Sequence, residues 1–320
     1  VERKRSQARS CSRVSEQPCC SGRRLTWYHE EEQELTRREL TGHPDQENYA
    51  KQIVNGEDSR QTILRGTEAT CAFLAATMIE SLMLTAARVL TFSGQSPLTN
   101  ASGFFFERND RLFLVTSRHV MIDEPSEHFP DRIQIELHTD PDNLALSTGL
   151  SIPLYRNGQS IWRQGVDRAG EIDVAVIELE RPALPSTMFY RAFTPAHLHG
   201  PLDHVEVGSS LLVVGFPLGF HDTLHHMPVV RHAVNASSFG LRFQGQGYFL
   251  TDARTHRGTS GASVVMRASE PDPSLGNLPW ILLGVHSARL DVGTRDLEMD
   301  EALGLNCSWY ADILLALTED

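Results

Sequence analysis

The chain has 320 residues, 40% hydrophobic and 22% charged, the profile of a globular protein long enough for two core-bearing units. Its 41 acidic against 29 basic residues leave a formal net charge of −12, the opposite balance from a nucleic-acid binder. Of Cys11, Cys19, Cys20, Cys71 and Cys307, only the last falls where apolar runs are dense, so the fold is not expected to rely on disulfides.

Residues 1–77 stand apart. An Arg- and Ser-rich opening, VERKRSQARSCSRVSEQPCCSGRR, is followed by the acidic HEEEQEL, with little hydrophobic periodicity. This stretch is expected to be a disordered or non-native extension, with Met78 as the native start. No His or Cys at ligand spacing accompanies Cys19 and Cys20. Glu80 interrupts the apolar segment CAFLAATMIESLMLTAARVL (71–90), which argues against a secretory signal. With no run of ~20 apolar residues either, the expected location is the cytoplasm, away from any membrane.

From residue 84 the texture is all-β. Short apolar runs recur between turn signals: AARVLTF, GFFFE, RLFLVTS, RIQIEL, DVAVIEL, SLLVVGF, GYFLTD, ASVVM and WILLGV. Arg108-Asn109-Asp110 reads as a hairpin turn, because Asn and Asp tolerate positive φ. A proline-rich stretch over 181–204 predicts a linker, giving a unit at 78–190 and another at 191–320. Many short strands without helical spacing suggest a barrel or sandwich. In the tail, Trp309, Ile313, Leu314 and Leu317 share a helical face, predicting a closing helix packed on the second unit.

Three reactive residues lie at the edges of these runs. They are His119 in RLFLVTSRHVM, Asp173 in EIDVAVIEL and Ser260 in TDARTHRGTSGASVV. A serine hydroxyl is a poor nucleophile until an imidazole can take its proton. The imidazole in turn needs a buried carboxylate to fix its tautomer. Asp167, Glu171 and Glu178 compete for the acid role, but Asp173 directly opens the apolar run VAVI; Ser263 is the rival of Ser260. In the Gly258-Thr259-Ser260-Gly261 loop the backbone amides of Gly258 and Ser260 can converge on a developing oxyanion.

These segments resemble the chymotrypsin-like (trypsin-fold) serine peptidases. VTSRHV is similar to the family's VTAAHC, DVAVIEL to its DIAL-type acid, and GTSGAS to its GNSGGP loop. The resemblance covers roughly residues 84–320. It implies two antiparallel six-stranded β-barrels with the cleft between them, His119 and Asp173 from the first and Ser260 from the second. LTDARTHRGTSGAS is similar to the nucleophile loop of the HtrA proteases, although too few residues follow Ser260 for a PDZ domain, and Ser263 replaces the family's common proline. IVNGED at 53–58 matches the mature N-terminus of animal relatives. Those enzymes need an aspartate just before the nucleophile, where Thr259 stands here, so activation of that kind is not expected.

The resemblance also implies a specificity pocket. His286, in LLGVHSARL, stands where bacterial glutamate-specific enzymes and viral glutamine-specific enzymes carry a histidine, with Thr255 and Ser287 as further donors. A preference for Glu or Gln at P1 follows. The alternative is that His286 is a strand residue held inside the barrel. The histidines at 221, 225, 226 and 232 lack metal-ligand spacing and are expected on a substrate-side loop. No metal, cofactor or nucleic acid is implied; the partner is a polypeptide. The competing function is a catalytically idle trypsin-fold module that binds a peptide or signalling partner.

Overall fold

The structure, a computed structural model, describes residues 79–200, 204–289 and 304–319. The expectations for residues 1–77, for IVNGED and for every cysteine except Cys307 lie outside these residues. The first half of the chain forms β1 (Ala86–Ser93), β2 (Ser96–Arg108) and β3 (Arg111–Thr116). A one-turn helix α1 (Arg118–Met121) leads to β4 (Arg132–His138) and β5 (Ser147–Pro153). The small hairpin of β6 (Tyr155–Arg156) and β7 (Gln159–Ser160) precedes β8 (Trp162–Asp167) and β9 (Gly170–Leu179). The second half forms β10 (Ser210–Gly215), β11 (Val229–Asn235), β12 (Tyr248–Asp252) and β13 (Ser263–Arg267). It ends with β14 (Trp280–Arg289), β15 (Leu305–Tyr310) and the helix α2 (Ile313–Leu317).

Two kinds of strand can be told apart by burial. In β4 every second residue is buried, so Ile133, Ile135 and Leu137 point inward between half-exposed polar neighbours. In β2, β3 and β9 apolar residues are buried on both faces. Phe105, Leu112, Leu114, Ala175 and Ile177 join Ile133 and Ile135 in the core of the first half. Phe104, Phe106, Val115, Val174 and Val176 belong instead to a core shared with Val214, Val265, Leu282 and Val285 of the second half. The runs GFFFE and RLFLV are continuous rather than alternating because these strands are sandwiched between two cores. At the tip between them, Asn109 and Asp110 have φ of 51° and 61°, and Arg108 pairs with Arg111. This is the expected hairpin turn.

The second half is a closed six-stranded barrel in the order β10-β11-β12-β15-β14-β13. The first half departs from the expected second barrel. It is a seven-stranded antiparallel sheet in the order β5-β4-β1-β2-β3-β9-β8, with β5 and β8 as unjoined edges. The chain between those edges turns out as the β6–β7 hairpin instead of pairing β5 with β8. The sheet still curls, since Ile152 of β5 and Trp162 of β8 enter the same core.

The proline-rich connection lies between the two sets of strands, with single turns at Arg181–Ala183 and Pro195–His197. It docks along β2, where Phe193 donates to Phe105 O at 3.0 Å and accepts from Glu107 N at 2.7 Å. The C-terminal helix differs from expectation in two ways. Trp309 lies in β15, held by pairing with Tyr248 and Val285, so the helix is five residues long. Its Ile313 and Leu317 also reach the first sheet, against Gly165 of β8, while Arg163 donates to Leu317 O at 3.4 Å. Among the described residues no helix is long and apolar enough to cross a membrane.

Candidate active site

The short turn α1 positions His119. Val120 and Met121 bury its inner side, and the backbone N–H of His119 points out of the first turn. That N–H donates to Asp173 Oδ1 at 2.8 Å, while the ring Nδ1 lies 2.7 Å from Asp173 Oδ2. A carboxylate only accepts, so Nδ1 carries a proton, and in the neutral ring Nε2 keeps a lone pair. The Ser287 hydroxyl donates to the same Oδ2. One carboxylate therefore receives three hydrogen bonds.

The rival acids are used elsewhere. Asp167 pairs with Arg242, Glu171 lies 3.4 Å from Arg118, and Glu178 accepts from Arg111 Nε at 3.0 Å. Each is drawn to an arginine, whereas Asp173 faces the imidazole. Ser263 is fully buried in β13, and its hydroxyl has no partner among the described residues.

Charge at the pair follows from this geometry. Burial, the largest influence on His119, opposes its protonation, but the Asp173 hydrogen bond and charge outweigh it and raise the imidazole above its usual value. Burial likewise pushes Asp173 upward, but the bonds from His119 and Ser287 hold it below the ordinary carboxylate range.

Ser260 sits on a sharp turn bounded by Gly258 at φ 88° and Gly261 at φ 85°. A Cβ on Gly261 would lie 2.2 Å from Ser102 O and 2.3 Å from Thr116 Oγ1, so only glycine lets the loop approach β2 and β3 so closely. The Ser260 hydroxyl donates to the Ser287 carbonyl at 3.0 Å, its one partner among the described residues. Residue 287 thus joins the two centres, its carbonyl on Ser260 and its hydroxyl on Asp173. Among the described residues no acceptor takes the Gly258 or Ser260 amide.

The pocket residues are less open than the sequence implied. His286 is 2% exposed, and its Nδ1 has no partner among the described residues. Burial, with the nearby His119 charge adding to it, lowers the His286 pKa to about 4, so the ring is neutral at pH 7. Thr255 gives its proton to Asn306 Oδ1 at 2.5 Å. The Asn306 amide nitrogen is spent on Ala253 O, Gly304 O and Thr251 O, which leaves Oδ1 as the accepting atom. Both expected hydroxyl donors, Thr255 and Ser287, are therefore committed within the protein.

The four clustered histidines have separate partners. His221 Nδ1 lies 2.6 Å from Gly219 O, His225 Nδ1 2.7 Å from Asp222, and His232 Nε2 2.9 Å from Ser210 Oγ. His226 is 3.7 Å from Glu136. No metal-holding group of three gathers among the described residues. Cys307 is buried, and burial pushes its thiol up to about 11, which makes it unreactive.

Residues 101–270 match the family model of the trypsin-like peptidase domain, more than half of the chain. The chain belongs to that family. The match runs from within β2 past the loop at 258–261 and takes in His119, Asp173 and Ser260. Among solved structures, a serine endoprotease from Yersinia pestis is similar at 16% identity and a TM-score of 0.44. The similarity covers 74% of this chain and 62% of that one, so the trypsin-like chain spans less than two thirds of its neighbour's length. No curated protein matches it. The sequence missed the double role of Ser287, because a serine one residue past His286 carries no signal of where its hydroxyl turns.

Proposed function

We propose that the chain is a serine endopeptidase that works through an acyl-enzyme. The Asp173 carboxylate carries this reading: it takes the backbone N–H and the ring Nδ1–H of His119, which in the neutral ring leaves Nε2 bare, the tautomer a general base needs, while Ser287 donates to the same carboxylate. Ser260 Oγ attacks the scissile carbonyl carbon and passes its proton to His119 Nε2. The oxygen, now negative, takes hydrogen bonds from the Gly258 and Ser260 amides. The C–N bond then breaks, and the departing amine takes the proton from His119. Water repeats the sequence to release the acid and restore Ser260. A fluorophosphonate probe should label the folded wild type and leave Ser260→Ala unlabelled; an unlabelled wild type would remove the reading.

The specificity pocket lies at His286 and Thr255 in this reading, with Ser287 contributing backbone. A neutral His286 can offer one N–H to a P1 side-chain oxygen. The Thr255 oxygen, its proton on Asn306, offers only lone pairs. A glutamine amide answers both groups, whereas a glutamate carboxylate would face those lone pairs without a counter-charge. A panel of P1-varied peptides should be cut fastest after Gln, then Glu. Equal cleavage after Lys or Phe would sink this pocket.

One observation favours the idle, peptide-binding alternative. The Ser260 proton rests on the Ser287 carbonyl instead of on His119. Catalytic hydrogen bonds often tighten only when substrate is bound, and the same labelling experiment separates the two readings.

A further inference from the structure

We infer that Ser102 is a positioning residue that holds the oxyanion-binding amide of Gly258 in its working direction; this rests on the peptidase reading above. Ser102 lies on β2 of the first sheet and is fully buried. All of its polar atoms are engaged. Its N–H donates to the Ser260 carbonyl at 2.9 Å, and its own carbonyl accepts from Thr116 Oγ1 at 2.7 Å. Its hydroxyl donates to the Gly258 carbonyl at 2.7 Å and accepts from the Phe216 amide at 2.8 Å. The directions are fixed, because a carbonyl cannot donate and an amide N–H cannot accept. One small side chain thus ties the nucleophile loop to the segment that follows β10.

That segment aims the Gly258 amide. The Leu218 N–H donates to the Arg257 carbonyl at 2.6 Å. In a trans peptide the C=O and the next N–H point to opposite sides of the chain. Holding Arg257 O on Leu218 therefore turns the Gly258 N–H the other way and leaves it free for an anion. Leu218 itself sits at φ 54°, an uncommon conformation for leucine that the surrounding bonds must maintain. The nearest anchor for it is Phe216, whose amide is held by the Ser102 hydroxyl.

The packing is shaped around this hydroxyl. A Cβ on Gly215 would fall 2.5 Å from Ser102 Oγ, and one on Gly258 would fall 2.7 Å from Phe216 O and 3.0 Å from Leu218 N. Glycine at both positions is what lets the three segments close on Ser102. Removing the hydroxyl leaves the Phe216 N–H and the Gly258 C=O buried without this partner, and the Leu218 bond that orients the 257–258 peptide loses its anchor at Phe216.

The second-order rate of fluorophosphonate labelling, divided by the folded fraction measured for each variant, reads this directly, because the probe's phosphoryl oxygen needs the same amides. Losing an oxyanion donor outright costs ~10²–10³ in rate, so Ser102→Ala, which only loosens one, should label at least about tenfold more slowly than wild type. On a cleaved peptide the loss should fall on kcat with KM little changed. Ser102→Cys, whose thiol is too weak and too long for two bonds of this length, should also label slowly. Either variant labelling within twofold of wild type would overturn the role of Ser102, as would a change in KM alone. A wild type that fails to label removes the peptidase reading and this one with it; a wild type that labels beside an equally fast Ser102→Ala removes only this one.

Discussion

Asp173 takes three hydrogen bonds on two oxygens, and this fixes how His119 responds to pH. In the proposed mechanism the imidazole must be neutral to accept the Ser260 proton, yet Asp173 raises its pKa above the usual 6.5 in spite of burial. Activity should therefore rise with pH through a midpoint above 6.5, read as kcat/KM against pH; a midpoint below that value would contradict the pairing. The stability contribution has the opposite sign. A raised folded-state pKa stabilises the fold fully below the unfolded value, and that contribution is lost as pH climbs through the folded one. His286 works the other way, since its depressed pKa costs stability as pH falls from 6.5 toward about 4. His119 and Ser260 stood out as candidates because each sits in a local string of unusual composition; the structure pairs His119 with Asp173 and turns the Ser260 hydroxyl onto the Ser287 carbonyl. Choosing Asp173 over Asp167, Glu171 and Glu178 rested on one neighbouring apolar run, and the structural reason is different: arginines distant in sequence draw the other three away. Ser287 read as a donor to substrate because its direction depends on a carboxylate 114 residues away.

At the scale of elements, α2 is short but central. Leu314 is fully buried and Leu317 nearly so, both in the core that the two halves share. Five helical residues would not be stable alone, so packing and not propensity holds them. Leu314→Ala should cost about 2–5 kcal/mol of folding free energy, measured by denaturant unfolding, because its surroundings on two sheets cannot collapse onto the void. A loss below about 1 kcal/mol would show that the helix is peripheral. The helical spacing that linked Trp309 to Ile313 was real, but β12 and β14 both claim Trp309 as a strand partner, and pairing on two sides overrides a local pattern. Hairpin chemistry was more legible. Asn109 and Asp110 specify their turn by their own backbone tolerance, without help from elsewhere.

For the whole molecule, apolar runs with turn signals were enough to give an all-β chain in two halves, but not how each half closes. Closure depends on which edge strands meet, and β5 and β8 are separated by a hairpin that turns away. What joins the halves is the doubly buried set of β2, β3 and β9 on one side and β10, β13 and β14 on the other, completed by Leu314 and Leu317. That arrangement has a consequence for biosynthesis. His119, Asp173 and Ser260 all leave the ribosome before residues 313–317, but the core that brings their two halves together still lacks its last members. Contacts between segments so far apart in the chain form late. A nascent chain therefore carries His119, Asp173 and Ser260 before the core shared by its two halves is complete, and the order of synthesis holds back that closure until the helix has docked.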